Sequence, residues 1–289
     1  MAANYSEDFF QTSDGPRIHF REYRAAGRES GPAVLCLHGL TRNERDFEEL
    51  APMIADLGRR VIVPSQRGRG LSDWDPKTER YHPGIYAADM LALLDHLKLD
   101  KAIFVGTSMG GLITMIVAAL APHRLSTAVL NDIGPEIDPS GLMRIRGYVG
   151  SAKTATNWEE AAKLFRDING LAFPEQTGMA YWVSVAKKSF REKTPNNIEL
   201  DYDPQISRSF AAPQGAAPDL WPMFDALASI PTLLLRGEIS DILMPSTVAE
   251  MQRRKADLVV AQIRSVGHAP FMTEPDAWQA LRDFLIRTS

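Results

Sequence analysis

Apolar positions along the chain follow two rhythms. Near the start, "DFFQT" and "RIHFREY" alternate apolar and polar residues around "SDGP", which predicts a hairpin of antiparallel strands. Beyond it, "AVLCLHG", "RRVIVPS", "KAIFVG", "LSTAVLND", "PTLLLRG" and "LVVAQIRS" are short continuous apolar runs, as expected of strands buried on both faces of a parallel sheet. Segments with helical spacing lie between or after them: "ERDFEELAPMIADLG", residues 86–97, "MGGLITMIVAALAP", "PSTVAEMQRRK" and "DAWQALRDFLIR". Strands alternating with helices predict an α/β fold, a mainly parallel sheet with helices on both faces. Ligands in such sheets gather at the carboxyl ends of the strands.

From about Gly134 to about Pro213 this rhythm stops. The helix-like pieces "NWEEAAKLFRDI" and "QTGMAYWVSVAKKSF" are separated by proline and glycine, with no buried strand evident among them. The pattern predicts a core of residues 1–133 and 214–289 and a helical cap, 134–213, lying over the sheet.

Composition narrows the function classes. Of the 289 residues 45% are hydrophobic and 24% charged, which fits an ordinary folded domain, and the net charge of -4 gives no attraction for polyanions. No basic run or zinc-finger spacing occurs, so a nucleic-acid partner is not expected. The first residues lack a basic stretch followed by an apolar one, and the longest apolar run, 112–121, is too short to span a bilayer. The single cysteine, Cys36, sits inside "AVLCLHG" and predicts a buried core thiol; a cytoplasmic location is expected, with no membrane partner.

The chemistry concentrates in "FVGTSMGGL". Gly106-Thr107-Ser108-Met109-Gly110 matches G-x-S-x-G between a strand run and a helix run, the context in which the turn displays its serine above the sheet edge. A serine hydroxyl needs a base to take its proton and an acid to fix the base's tautomer. His268, on a glycine-containing loop after "LVVAQIRS", is the expected base. His19, His82, His96 and His123 lie in the hairpin or near helices and suit packing or surface roles, while His38 is expected to support the loop that follows it. For the acid, Asp241 in "RGEISDIL" follows a strand and gives the chain order Ser, Asp, His, so it is preferred. Asp132 in "AVLNDIGP" also ends a strand and is the competing choice. Two backbone N–H donors for an oxyanion are expected from Met109 and from Leu40, in the loop after "AVLCLHGL".

Together "LHGLTRN", "QRGRGLSD", "GTSMGG", "RGEISDIL" and "GHAPFMTEP" resemble the α/β-hydrolase superfamily, in matching order from about residue 15 to the C-terminus. The resemblance implies a serine nucleophile, no metal, no organic cofactor and a helical cap. Ser65-Gln66 departs from it, since relatives more often carry Asp before the Arg-Gly pair. Haloalkane dehalogenases and epoxide hydrolases place an aspartate where Ser108 stands, so their chemistry is excluded. Carbon–carbon hydrolases usually carry a glycine-rich loop where this chain has "HGLTRN". Small carboxylesterases and enol-lactonases fit better, so cleavage of a small carboxylic ester or lactone is the expected activity. A carbon–carbon hydrolase, an acyltransferase and a small-molecule receptor with vestigial turnover are the alternatives. Arg67, Arg69 and Ser72 are expected to organise their loop, Arg144 and Arg146 to be solvated helix residues, and Trp158, Phe165, Phe173, Tyr181 and Trp182 to form cap core, some facing the serine.

Overall fold

The alternation within each apolar run divides its side chains between two cores. In a computed structural model, described here for residues 5–151, 153–210 and 218–288, Leu35, Phe104, Leu130 and Leu234 point to one side of the sheet. Cys36, Val105, Val129 and Leu235, their neighbours along the same strands, point to the other. All eight are fully buried, Cys36 included.

The strands are β1 (Tyr5–Gln11), β2 (Arg17–Tyr23), β3 (Val34–Leu37), β4 (Val61–Pro64), β5 (Ala102–Thr107), β6 (Leu125–Asn131), β7 (Thr154–Ala155), β8 (Phe190–Thr194), β9 (Asn197–Leu200), β10 (Thr232–Gly237) and β11 (Val259–Ile263). The helices are α1 (Leu50–Ala55), α2 (Pro83–His96), α3 (Met109–Leu120), α4 (Pro139–Tyr148), α5 (Trp158–Asn169), α6 (Met179–Ser189), α7 (Trp221–Asp225), α8 (Pro245–Arg254) and α9 (Pro275–Arg287). The main sheet runs β1-β2-β4-β3-β5-β6-β10-β11. The expected hairpin, β1 and β2, is antiparallel and joins β4 antiparallel; every later pairing is parallel. Helices α2, α3 and α8 cover one face, and α1 and α9 the other.

The chain leaves this sheet after β6 and returns at β10. The intervening segment holds α4, α5 and α6 as expected, and also a three-stranded antiparallel sheet, β7-β9-β8, which the sequence did not foretell. These strands are short, and β8, "FREKT", is exposed over most of its length, so they lack the apolar run that marks a buried strand. The expected boundary at 213/214 lies outside the described residues. Hydrogen bonds tie the segment to the core loops: Arg45 donates to the carbonyls of Lys188 and Phe190 and pairs with Asp201, while Gly70 N–H donates to Asp201 O and Asp203 N–H to Gly68 O. Among the described residues no helix is long and apolar enough to cross a membrane.

Candidate active site

Strand β5 passes directly into α3 at Ser108, whose φ of 51° and ψ of -114° lie outside the ordinary regions for an L residue. Two glycines make that turn possible. A Cβ on Gly106 would collide with the backbone of Gly110, and one on Gly110 with the carbonyl of Leu37, so neither position has room for a side chain. Serine is a favoured helix-capping residue, yet Ser108 stands at the N-cap of α3 without a side-chain capping bond. Its Oγ lies instead 2.9 Å from His268 Nε2.

His268 follows β11, and its Nδ1 lies 2.8 Å from Oδ2 of Asp132. Carboxylate oxygens accept, so Nδ1 carries the proton and Nε2 is left to accept from the serine hydroxyl. Asp132, just past the end of β6, is wholly buried. It also accepts from Gly237 N–H at 2.8 Å and from the Ser240 hydroxyl at 2.6 Å. Three donors on one carboxylate fix its orientation and, through it, the plane of the imidazole.

The preference for Asp241 is therefore corrected. Strands β6 and β10 are parallel neighbours, with Leu235 opposite Asn131, so the loop leaving β10 passes Asp132. That loop turns Ser240 inwards and its neighbour Asp241 outwards, towards α4. There Asp241 accepts from Arg144 Nε at 2.6 Å and Nη2 at 2.9 Å. Burial alone would raise the Asp241 carboxyl, but the arginine outweighs it and holds the group below the ordinary carboxylate range. Arg144, expected to be solvated, thus latches α4 to the β10 loop.

The oxyanion candidates flank the nucleophile. Met109 opens α3, where first-turn N–H groups have no acceptor within the helix, and Leu40 lines the cavity in front of Ser108. Fully buried His38 supports the Leu40 loop, as expected. Its Nε2 accepts from Gln66 N–H at 2.9 Å, so Nδ1–H donates to Gly39 O at 2.7 Å. The N–H of a trans peptide points opposite its carbonyl, so this bond turns the Leu40 N–H away from His38. Burial holds the His38 imidazole neutral, its pKa pushed down to about 4. Unfolding restores the ordinary value near 6.5, so the unfolded chain binds the extra proton between about pH 6.5 and 4 and His38 opposes folding there. Relative to His38→Gln, wild type should lose stability as pH falls through that window, by at most about 1.4 kcal/mol per pH unit. Urea unfolding of both proteins at pH 7.5, 6 and 5 checks it; a pH-independent difference would contradict a buried neutral imidazole.

A cavity of about 90 Å³ opens in front of Ser108 and His268. At roughly 10–15 Å³ per water it has room for about six to nine waters, or one short acyl chain. Leu40, Ile145, Tyr148, Phe165, Phe173 and Phe271 supply most of its apolar wall, and Arg42 and Asp46 a polar corner. Of the expected cap aromatics, Phe165 and Phe173 face the serine, whereas Trp182 is core. Tyr148, Arg42 and Asp46 were missed. Arg42 pairs with Asp46 four residues on, a spacing that reads as a solvated helical pair.

Residues 32–275 match the family described by the alpha/beta hydrolase fold. The chain belongs to that family. This α/β hydrolase is 34% identical, over 95% of its own length and 96% of the relative's, to the 3-hydroxybutyrate-oligomer hydrolase of Cupriavidus necator. It is 28% identical, over 99% of both chains, to the 2-(acetamidomethylene)succinate hydrolase of Mesorhizobium japonicum. Among solved structures, that of an alpha/beta hydrolase from Novosphingobium aromaticivorans superposes with a TM-score of 0.92 at 42% identity, covering 99% of this chain and all of the other. The family, the fold and a hydrolase as the class of enzyme follow from these matches.

Proposed function

We propose that this hydrolase cleaves a small carboxylic ester or lactone through an acyl-enzyme on Ser108. The observation that carries the reading is the hydrogen-bonded line Ser108–His268–Asp132 with the serine facing a cavity. In the reading, Ser108 Oγ attacks the ester carbonyl as His268 Nε2 takes its proton. The N–H groups of Leu40 and Met109 hold the negative oxygen of the tetrahedral intermediate. His268 then returns the proton to the departing alkoxide oxygen, and the C–O bond breaks. Water, deprotonated by the same nitrogen, attacks the acyl-enzyme and frees the acid and Ser108. Asp132 keeps the Nδ1 proton in place and balances the charge of the imidazolium.

The cavity's apolar wall suits a short acyl chain, and the Cupriavidus relative's name directs the first substrates to esters of short hydroxy acids. The single buried thiol, Cys36, supports a cytoplasmic setting as a companion proposal. The test is a panel of hydroxy-acid dimers and trimers, short-chain nitrophenyl esters, lactones and amides, run beside fluorophosphonate labelling. Many product equivalents per protein on an ester or lactone, with one probe per chain on Ser108, support the reading. Labelling elsewhere, or one slow equivalent of product, overturns it and favours a receptor.

A further inference from the structure

Arg69 sits in "QRGRGLSD", a segment expected only to organise its own loop, and it is completely buried. A buried guanidinium ordinarily pairs with a carboxylate, because an uncompensated charge out of water is costly. Its neighbour Arg67 does so, meeting Asp14, Asp75 and Asp89. Among the described residues, Arg69 has no such ion pair. Nε donates to the Leu40 carbonyl at 2.9 Å; Nη1 donates to the Arg67 carbonyl and the Tyr86 hydroxyl, both at 2.8 Å; Nη2 lies 3.6 Å from Met109 Sδ. The group also lies over the Tyr86 ring, 4.8 Å from its centroid, and 5.8 Å from that of Tyr81.

Leu40 and Met109 are the residues whose N–H groups face the nucleophile in the proposed reaction, and one guanidinium touches both. Two consecutive carbonyls of the loop are thereby held from behind: Gly39 O by His38 and Leu40 O by Arg69. His38 is neutral, so Arg69 brings the charge.

We infer that Arg69 is a positioning residue for the oxyanion site, holding the Leu40 loop against the start of α3 and setting a buried, directly unpaired positive charge beside it. The inference rests on the acyl-enzyme reading. A fixed charge beside the donors is already in place in the resting protein and need not be moved there during the reaction. It gains most when the carbonyl oxygen becomes negative, so it acts on the transition state more than on bound substrate. Tyr86 and Tyr81 offer their ring faces to the cation and hold the fork without neutralising it. Lysine has no planar fork to reach the Leu40 carbonyl, the Tyr86 hydroxyl and Met109 at once.

The test compares wild type with Arg69→Met, Arg69→Lys and Ser108→Ala, using a short nitrophenyl ester and a trifluoromethyl ketone, which adds to the serine as a tetrahedral oxyanion. Arg69→Met should lower kcat about ten- to a hundredfold with KM within about twofold, and weaken the ketone by the same factor. Arg69→Lys should lose less of both, in the same proportion. A role confined to loop stability would lower the melting temperature while leaving the ketone's affinity, per folded protein, at the wild-type value; that result overturns the inference, as does an Arg69→Met protein with wild-type kcat. If Arg69→Met does not fold, Arg69→Lys decides by the same comparison, and matched losses of kcat and ketone affinity are required. Failure of the underlying reading looks different: wild type would not bind the ketone, or Ser108→Ala would turn over the ester as fast as wild type.

Discussion

Asp132→Asn is expected to lower kcat/KM about a thousand- to ten-thousandfold on any ester this hydrolase turns over, while Asp241→Asn leaves it within about threefold. The difference follows from what each carboxylate touches. Asp132 receives three hydrogen bonds, from His268, Gly237 N–H and the Ser240 hydroxyl, in a site closed to water. An asparagine there replaces one acceptor oxygen with a donor NH2. Where that donor faces His268, Nδ1 must accept, the ring proton moves to Nε2, and the nitrogen that should take the serine's proton already carries one. Asp241 instead lies 37% exposed on Arg144, and losing so exposed a pair costs about 1 kcal/mol of stability or less. Steady-state kinetics of the two variants, with circular dichroism to confirm folding, checks the ranking. An Asp241→Asn loss as large as that of Asp132→Asn would return the role to Asp241.

Ser108→Ala should remove about a millionfold of kcat, because the acyl-enzyme route disappears with the hydroxyl. The fold should survive. Alanine must adopt the same positive φ as serine, and the hydroxyl makes no capping bond that the helix would miss. In the proposed mechanism serine, histidine and aspartate act as one unit, so Ser108→Ala with Asp132→Asn should be no slower than Ser108→Ala alone. Additive losses in the double variant would mean that Asp132 acts on some step other than activation of Ser108. Single-turnover and steady-state rates on one nitrophenyl ester suffice for the comparison.

The fold was legible because its buried strands are written as apolar runs. Period-two alternation within those runs sends Leu35 and Cys36 to opposite cores, and glycine in "FVGTSMGGL" marks where strand and helix must touch. The short strands β7, β8 and β9 were not legible, since each sends a single residue, Ala155, Phe190 and Ile198, fully into the core, too few to write an alternation. The acid fell between these cases. Asp132 directly follows one buried strand and Asp241 lies a few residues past another, and chain order favoured the second.

What the sequence by itself determined is what depends on neighbours in the chain: the buried strands and helices of an α/β fold, the turn that presents Ser108, and the loop after β11 that carries His268. What only the tertiary structure decided depends on how adjacent strands align. Parallel register sets Asp132 beside the β10 loop, where Ser240 turns in and Asp241 turns out to Arg144. Folding likewise brings Arg69 against residues 29 and 40 positions away in the chain. A spacing in sequence can place a residue at a sheet edge; whether its side chain meets the histidine or an arginine is fixed by which backbone runs alongside it.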